Sequence, residues 1–306
     1  MDAVRWDERP ALRRPVLIAA FEGWNDAGDA ASTAARYLAT EWGARRIATI
    51  DPEEFYDFTV VRPQVRLVDG VTRQIDWPEN EISVATTPSG DRDIVFLHGI
   101  EPQLKWRTFV TQVNEVAQEL DVELALTLGA LLAEVPHTRP VHVTGTAADA
   151  ELIRKLNLQR SQYEGPTGIV GVLHDAFNKA AIPSASLWAA VPAYVAKTPS
   201  PKGALALVRR AVDLLGEHVE LTSLQIASAA YERQVSEVVG EDDDVAAYVR
   251  SLEEAADNPG RDIDDDLLVD NPLLHPSRPD TPMPPMVGGD ALAAEVERFL
   301  REQTDD

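Results

Sequence analysis

The chain has 306 residues and a formal net charge of −23, and this acidity argues against nucleic acid as a partner because phosphate binding needs a basic footprint. It contains no cysteine, which excludes disulfides, thiolate metal ligands and a cysteine nucleophile. No apolar stretch is long enough for a membrane span, and residues 1–14 lack the apolar run of a signal peptide, so we expect a soluble cytoplasmic protein without membrane partners.

Short apolar runs alternate with helical periodicities through the first two thirds of the chain. A run without polar alternation predicts a buried strand, and apolar residues three or four positions apart predict an amphipathic helix. In chain order the patterns predict a strand at 15–21, an alanine-faced helix at 27–38, strands at 46–50 and 93–98, a helix at 106–120, strands at 123–128 and 141–144, a helix at 169–181, a strand at 185–191, and a helix that begins at Ser200-Pro201 and ends at Gly216.

Residues 58–68 and 72–87 predict a β-meander, with Asp69-Gly70 as its hairpin turn. Pro63 predicts that the first of these strands lies at an edge or contains a bulge, because proline cannot donate a ladder hydrogen bond.

Strands that alternate with helices predict a mostly parallel sheet covered on both faces. We therefore expect the α/β class, as a three-layer α/β/α sandwich, for residues 1–216. Beyond Gly216 the pattern is helical, so residues 217–306 are predicted to form a helical extension and not a second α/β domain.

The extension carries most of the acidity. Residues 236–306 hold 20 acids and 5 bases. Residues 257–289 contain seven prolines, which predict an irregular connection. It retains apolar residues at 267–269 and 273–274, so we expect it to lie along the body of this protein or of a neighbouring subunit. A helical stripe from Leu292 to Leu300 predicts a terminal helix.

The loop at residues 21–29 (FEGWNDAGD) connects a predicted strand to a predicted helix, where open α/β sheets bind ligands. Its acids favour capping of the helix N-terminus. A ligand or metal site and a protein interface are the two alternatives, and Trp24 and Asn25 belong to the same candidate surface.

Two further loops follow predicted strands, at 98–102 and 128–137. Because the carboxyl ends of parallel strands share one edge, the polar side chains of all three loops are candidates for one cluster. A carboxylate cluster with one histidine can bind a divalent metal or supply an acid and a base, whereas a structured loop edge is the simpler interpretation. The cluster would contain Glu22, Asp26, Glu101, Glu134 and His137.

Established catalytic motifs are missing from the sequence. It contains no GxGxxG, GxxxxGK[ST], HExxH or GxSxG pattern. We therefore predict no catalytic residue, no resident metal and no cofactor. Tyr194, which follows the strand at 185–191, is a candidate for pocket or interface lining, with ordinary core packing as the alternative.

Five segments occur in an order that resembles the PAC2 (proteasome assembly chaperone 2) family, in its actinobacterial branch. The resemblance covers roughly residues 14–216. In the last segment a histidine often precedes the tyrosine in this family, whereas this chain has Ala193, which weakens any assignment of a catalytic histidine there. The segments are EGWNDAG (22–28), GIEP (99–102), LGALLAEVPHTRP (128–140), YEGPTGI (163–169) and VPAYV (191–195).

The resemblance implies an α/β/α fold similar to the phosphorylase/hydrolase-like class and a cytoplasmic protein that assists assembly of 20S proteasome subunits. The leading hypothesis is therefore a non-enzymatic chaperone or scaffold that forms a homo-oligomer, with a trimer as the first candidate. The alternative is a small-molecule hydrolase or transferase with its site at the C-terminal edge of the sheet. A third hypothesis is an interaction protein that uses its acidic tail against a basic partner.

Overall fold

A computed structural model of the chain describes residues 3–69 and 71–258. The strands in this part of the chain are β1 Val4–Trp6, β2 Val16–Glu22, β3 Arg45–Ile50, β4 Gln64–Val68, β5 Thr72–Asp76, β6 Asn80–Thr86, β7 Asp93–Ile100, β8 Leu124–Ala133, β9 Val143–Ala147 and β10 Ser184–Pro192. The α-helices are α1 Ala30–Glu41, α2 Trp106–Glu119, α3 Ala150–Leu156, α4 Ile169–Lys179, α5 Pro201–Leu215, α6 Thr222–Gly240 and α7 Asp243–Asp257.

Eight strands form one sheet in the order β1-β3-β6-β7-β2-β8-β10-β9, and β4 pairs with β5 in a separate hairpin. The four strands β7, β2, β8 and β10 are parallel neighbours. The strands outside them pair antiparallel. The carboxyl ends of the parallel strands share one edge, which we call the C-terminal edge of the sheet.

The two faces of the sheet bury separate apolar cores. Residues 16–21 of β2 are buried throughout, because helices cover both faces of this central strand. Side chains of α1 and α5 pack on one face, and side chains of α2 and α4 pack on the other. The predicted three-layer α/β/α sandwich is confirmed.

The alanine face of α1 lets the neighbouring helix α5 approach closely. A Cβ atom added at Gly203 of α5 would lie 3.0 Å from the Cβ of Ala30. The predicted boundaries of α5 are also confirmed: Ser200 Oγ accepts a hydrogen bond from the Gly203 N–H (3.2 Å), and Gly216 follows the helix at φ +69°, a conformation that favours glycine.

The meander predicted for residues 58–87 is wrong in part. Residues 58–63 are not a strand, since β4 begins only after Pro63. The second predicted strand divides into β5 and β6, and β6 joins the main sheet. The division coincides with Pro78, which has no N–H for a ladder. Val68 pairs with Thr72, as the predicted hairpin requires, although Gly70 of its turn lies outside the described residues.

Two edge strands also differ from expectation. The three-residue strand β1 was not predicted, and β9 spans 143–147 instead of 141–144. Both pair with a single neighbour, so neither has the continuous apolar run that indicates a central strand.

Beyond Gly216, α6 and α7 are helices as predicted. Buried residues of α6 and α7, among them Tyr231, Val235 and Val249, form a small apolar cluster against Tyr194. Within the described part of the chain, no helix has both the length and the apolar character needed to cross a membrane. The Pro-rich connection from residue 259 onward and the predicted terminal helix lie outside the described residues.

Candidate functional site

The loop after β2 is held in place by its own polar groups. Asp26 is buried, and its Oδ1 accepts hydrogen bonds from the backbone N–H groups of Ala31 (2.6 Å) and Ser32 (3.2 Å) in the first turn of α1. Burial raises the pKa of Asp26, and the hydrogen bonds from Ser32 and Ala31 act in the opposite direction. Capping of the helix N-terminus is therefore confirmed for Asp26.

Glu101, which follows β7, joins three loops. Its Oε1 accepts hydrogen bonds from Asn25 Nδ2 (2.8 Å) and from the backbone N–H of Ile169 (2.7 Å), the first residue of α4. A side chain at Gly168 would clash with the Asn25 amide. The Ala130 N–H of β8 also donates to the Asn25 carbonyl oxygen (2.8 Å). Carboxylate and amide groups at this edge therefore connect the loops to each other.

The other two candidates in the first loop have contrasting surroundings. Glu22 forms an ion pair with Arg36 of α1. Trp24 is 48% exposed, although both neighbouring parts of its loop are held by hydrogen bonds. Gly23 has a φ of +128°, which strains any residue with a Cβ atom. The loop thus presents a large apolar side chain on a well-defined backbone.

A second group of candidates lies at the ends of β8 and β10. His137 is buried, and its Nδ1 and its backbone N–H each lie 2.7 Å from the Tyr194 hydroxyl. His137 Nε2 lies 2.9 Å from Ser236 Oγ of α6. Lys202 Nζ donates to the His137 carbonyl oxygen and forms an ion pair with Glu232 of α6. We call His137, Tyr194, Ser236 and Lys202 the His137 network.

Hydrogen bonds in the His137 network determine where its protons lie. Ser236 Oγ donates to the Glu232 carbonyl oxygen (2.8 Å), so it accepts from Nε2–H of His137. The Nδ1 atom of the neutral ring is then an acceptor for the Tyr194 hydroxyl. Burial, with a smaller contribution from the Lys202 charge, lowers the pKa of His137. Burial also raises the pKa of Tyr194 to about 12. Because Nε2 carries a proton, His137 cannot act as a base toward Ser236.

The residues after His137 attach the loop after β8 to α7. The Thr138 hydroxyl donates to Glu253. Arg139 binds Asp257 with both Nε (2.8 Å) and Nη2 (2.6 Å), the bidentate geometry that makes an arginine–carboxylate pair specific. The loop after β8 is consequently an attachment point for both helices of the extension.

Four of the five residues proposed for one acid–base cluster therefore have separate partners. Asp26 and Glu101 cap α1 and α4, Glu22 pairs with Arg36, and His137 binds Tyr194 and Ser236. Glu134 is exposed. In residues 3–69 and 71–258 no group of three His, Cys, Asp or Glu side chains is placed to hold a metal ion. The hydrolase or transferase hypothesis depends on a shared cluster of these five side chains, and the described part of the chain does not contain one.

A surface groove of about 400 Å³ lies between α5 and α6. None of the eight residues predicted for the site lines it. Its wall includes Glu232 and Ser236, so it borders the His137 network. Its lining residues are Leu205, Arg209, Gln225, Ser228, Ala229, Glu232, Arg233 and Ser236.

Several residues of these networks were not predicted from the sequence. Lys202 and Ser236 are separated from His137 by 65 and 99 residues, and Arg36 from Glu22 by 14. Each is an ordinary polar residue of a helix, without a local motif. Glu101 and His137 were identified because they follow predicted parallel strands, whose carboxyl ends meet at one edge. No similar rule predicts which helical residues approach that edge.

The comparison with protein families finds a match between residues 20–239 and the PAC2 family. This match extends past Gly216 into α6, beyond the segment that carried the resemblance in the sequence. The comparison with curated proteins finds no match.

Solved structures of similar proteins agree with the family match. A PAC2 family protein from Streptomyces avermitilis is 47% identical, covers 77% of this chain and 99% of its own, and has a TM-score of 0.72. A proteasome-assembly chaperone homologue from Mycobacterium tuberculosis is 49% identical, covers 76% of this chain and 99% of its own, and has a TM-score of 0.70. Pyrococcus furiosus PbaA, an archaeal homologue of proteasome-assembly chaperone, is 17% identical over 83% of this chain and 99% of its own, with a TM-score of 0.56. At that identity it shows the shared fold alone.

Proposed function

Because the chain belongs to the PAC2 family, we propose that it is a non-enzymatic chaperone or scaffold that assists proteasome assembly in the cytoplasm. The relative from Mycobacterium tuberculosis, 49% identical and described as a proteasome-assembly chaperone homologue, supports this assignment. We further propose that the protein acts as a homo-oligomer and that its clients are proteasome α-subunits.

One observation carries the proposal. At the C-terminal edge of the sheet the carboxylates and the histidine stabilise loops and helix ends, while Trp24 remains 48% exposed on a loop that those same groups hold in place. Exposed tryptophan on a preorganised backbone is typical of a protein-binding surface, because it offers a large contact area at little cost in conformational entropy. An acid–base site would instead need its titratable groups directed at a substrate.

Trp24→Ala tests this proposal. We expect the variant to retain its fold, because the side chain is half exposed, and to bind proteasome α-subunits at least tenfold more weakly than the wild type. Binding is measured by isothermal titration calorimetry with purified subunits, alongside the yield of assembled particles. Trp24→Phe is the matched control, since it keeps an aromatic contact and should retain most of the affinity.

Two results would contradict the proposal: wild-type protein that does not bind the subunits, or deletion that leaves the yield of assembled proteasomes unchanged. Equal affinity of wild type and Trp24→Ala would reject Trp24 as the contact and leave the client assignment to be decided by the binding of the wild type.

A further inference from the structure

The charge of the chain is distributed unevenly, and one long stretch is basic. Residues 138–216 contain nine lysines and arginines against five acids, a balance of +4 in a chain of −23. Residues 1–137 and 217–306 have balances of −10 and −17. The basic stretch includes β9, α3, α4, β10 and α5. Cations that are concentrated in one part of an acidic chain attract anionic groups to that part.

The fold brings several of these cations onto one surface. Arg210 of α5 donates through Nη2 to the carbonyl oxygens of Leu156 (3.1 Å) and Asn157 (3.0 Å), so the middle of α5 lies beside the C-terminal end of α3. The last turn of α3 contributes two exposed cations. Arg209 lines the groove between α5 and α6 together with Arg233. We call the resulting set the basic strip: Arg154, Lys155, Arg209, Arg210 and Arg233.

The body of the protein does not neutralise the basic strip. No member of the strip has an ion-pair partner in residues 3–69 and 71–258, and all except Arg210 are exposed. The acids nearest in sequence are Glu151 in α3 and Asp213 in α5, and neither forms an ion pair within the described residues. Glu232 also lines the groove, but it is already paired with Lys202. The strip therefore keeps an excess of positive charge.

The groove between α5 and α6 provides a place for an anionic segment to lie. Its volume of about 400 Å³ is in the range of small-ligand sites. Its arginines come from two different helices, so a segment along the groove meets cations on both sides. Leu205, which is 7% exposed, lines the same groove and offers an apolar contact. A matching segment should combine carboxylates with aliphatic side chains.

One segment of this chain has that composition. Residues 262–266 (DIDDD) contain four aspartates, and Leu267 and Leu268 follow them directly. A carboxylate is the natural partner of a guanidinium group, because the two planar groups can form paired hydrogen bonds. The segment lies outside the described residues, and its sequence alone supplies the complementary chemistry.

The last described helix ends within reach of the groove. Helix α7 is attached to the loop after β8 by the bidentate pair of Arg139 and Asp257. Lys202 in the first turn of α5 binds the same loop, and Arg209 lies about 10 Å further along α5. Residues 259–266 can span up to about 26 Å. The acidic run can therefore extend from the end of α7 to the basic strip.

We propose that residues 262–268 occupy the groove between α5 and α6 of their own chain, with the aspartates against Arg209 and Arg233 and the leucines over Leu205. Exposed ion pairs contribute only about 0–1 kcal/mol each, so a free acidic peptide binds such a site weakly. A segment on the same chain acts at an effective concentration in the millimolar range, which favours it over a separate acidic partner. The contact involves neither Trp24 nor a client.

The experiment is disulfide cross-linking on the full chain. Because the chain has no cysteine, two introduced cysteines can react only with each other. Gln225→Cys places a thiol in the groove, and Val269→Cys places one beside the acidic run. Gln118→Cys with Val269→Cys is the matched control, since Gln118 is exposed on α2, which packs on the other face of the sheet. Under oxidised glutathione we expect the groove pair to cross-link at least tenfold faster than the control pair.

Charge variants in the groove pair show whether the ion pairs cause this difference. Arg209→Gln/Arg233→Gln should slow cross-linking at least fivefold at unchanged circular dichroism, and so should replacement of the four aspartates at 262, 264, 265 and 266 by asparagine. Arg62→Gln/Arg73→Gln is the control of equal charge change, because both residues are exposed and far from α5 in sequence. It should leave the rate unchanged. Added sodium chloride should slow the reaction.

Four results would overturn the proposal. The groove and control pairs could react at equal rates, or Arg209→Gln/Arg233→Gln could leave the rate unchanged. A covalent dimer as the main product would assign the segment to a second copy. A peptide of residues 259–271, added in excess, should compete with the tethered segment and slow cross-linking. Single-stranded DNA that competes more strongly than this peptide would indicate a phosphate-binding surface instead. None of these results bears on client binding by Trp24.

Discussion

Polar residues at the C-terminal edge of the sheet have structural partners that explain their presence there. Asp26 caps the helix that follows it, as its position in the sequence suggested. Glu101 does the same for α4, a helix 68 residues later in the chain. A carboxylate at a helix N-terminus satisfies backbone N–H groups and interacts favourably with the helix dipole. Acids at a strand end thus have a structural role that does not depend on any chemistry at the site.

Asp26→Ala should lower the free energy of unfolding by about 2 kcal/mol, because it leaves two backbone N–H groups of α1 without their acceptor. Urea denaturation followed by circular dichroism measures the change. Asp29→Asn is the control, since Asp29 makes no side-chain cap hydrogen bond and asparagine tolerates its φ of +51°. A loss of stability as large for Asp29→Asn would contradict the capping role.

For single residues, the sequence indicates which side chains lie near the C-terminal edge of the sheet, but it does not identify their hydrogen-bond partners. Glu22, Glu101 and His137 follow predicted strands, and that rule located them. Their hydrogen-bond partners come from α1, α4 and α6, and no local pattern indicates which helix end approaches which loop.

At the scale of elements, the His137 network connects the α/β body to the helices of the extension. His137 and Tyr194 come from the ends of β8 and β10, Lys202 comes from α5, and Ser236 comes from α6. Tyr194 also stacks edge-on with Tyr248 of α7, at a centroid distance of 6.1 Å. A histidine at a strand end, which invites an enzymatic interpretation, is here a contact between elements.

Attachment of α6 and α7 should weaken in acid. The pKa of His137 in the folded chain is below its ordinary value of 6.5, so its contribution to stability is fully present above about pH 6.5 and is lost as the pH falls through the folded-state pKa. The charges around the ring are Lys202, Glu232 and Glu253. Amide hydrogen exchange in α6 and α7, corrected for intrinsic rates, should accelerate in acid more than exchange in β2.

Two variants check the cause of this acceleration. His137→Gln should remove the pH dependence that is specific to α6 and α7. Tyr194→Phe should accelerate their exchange roughly fivefold at all pH values, because a buried hydrogen bond contributes about 1 kcal/mol. Identical pH profiles in wild type and His137→Gln would assign the effect to another group; His98 and His174 also have lowered pKa values.

Central elements were predicted better than edge elements for a physical reason. A strand covered on both faces must be apolar at every position, as in residues 16–21. Strand β1 pairs on one side only, and β4 and β5 are exposed on both faces, so their sequences carry no comparable constraint.

For the whole molecule, the net charge of −23 opposes the compact state through self-repulsion. Ion pairs on the surface, such as Arg66–Asp76, contribute only about 0–1 kcal/mol each. Salt screens both the net repulsion and the ion pairs. The larger of the two should therefore decide whether added salt raises or lowers the stability.

Thermal stability should therefore rise with salt at neutral pH. Scanning calorimetry in increasing sodium chloride should show a higher Tm, and the increase should shrink near pH 5, where more carboxylates are protonated. A Tm that falls with salt at neutral pH would mean that ion pairs outweigh the net repulsion.

By itself, the sequence determined the fold class, the helices, the central strands and the family, because apolar periodicity and strand-end motifs are local properties of the chain. Only the tertiary structure decided what the polar residues at the edge do. Their partners are up to 99 residues away, and a hydrogen bond depends on a few tenths of an ångström that no spacing rule supplies. The same reason applies to the hairpin of β4 and β5: whether its apolar side chains are buried or open depends on which elements pack beside it.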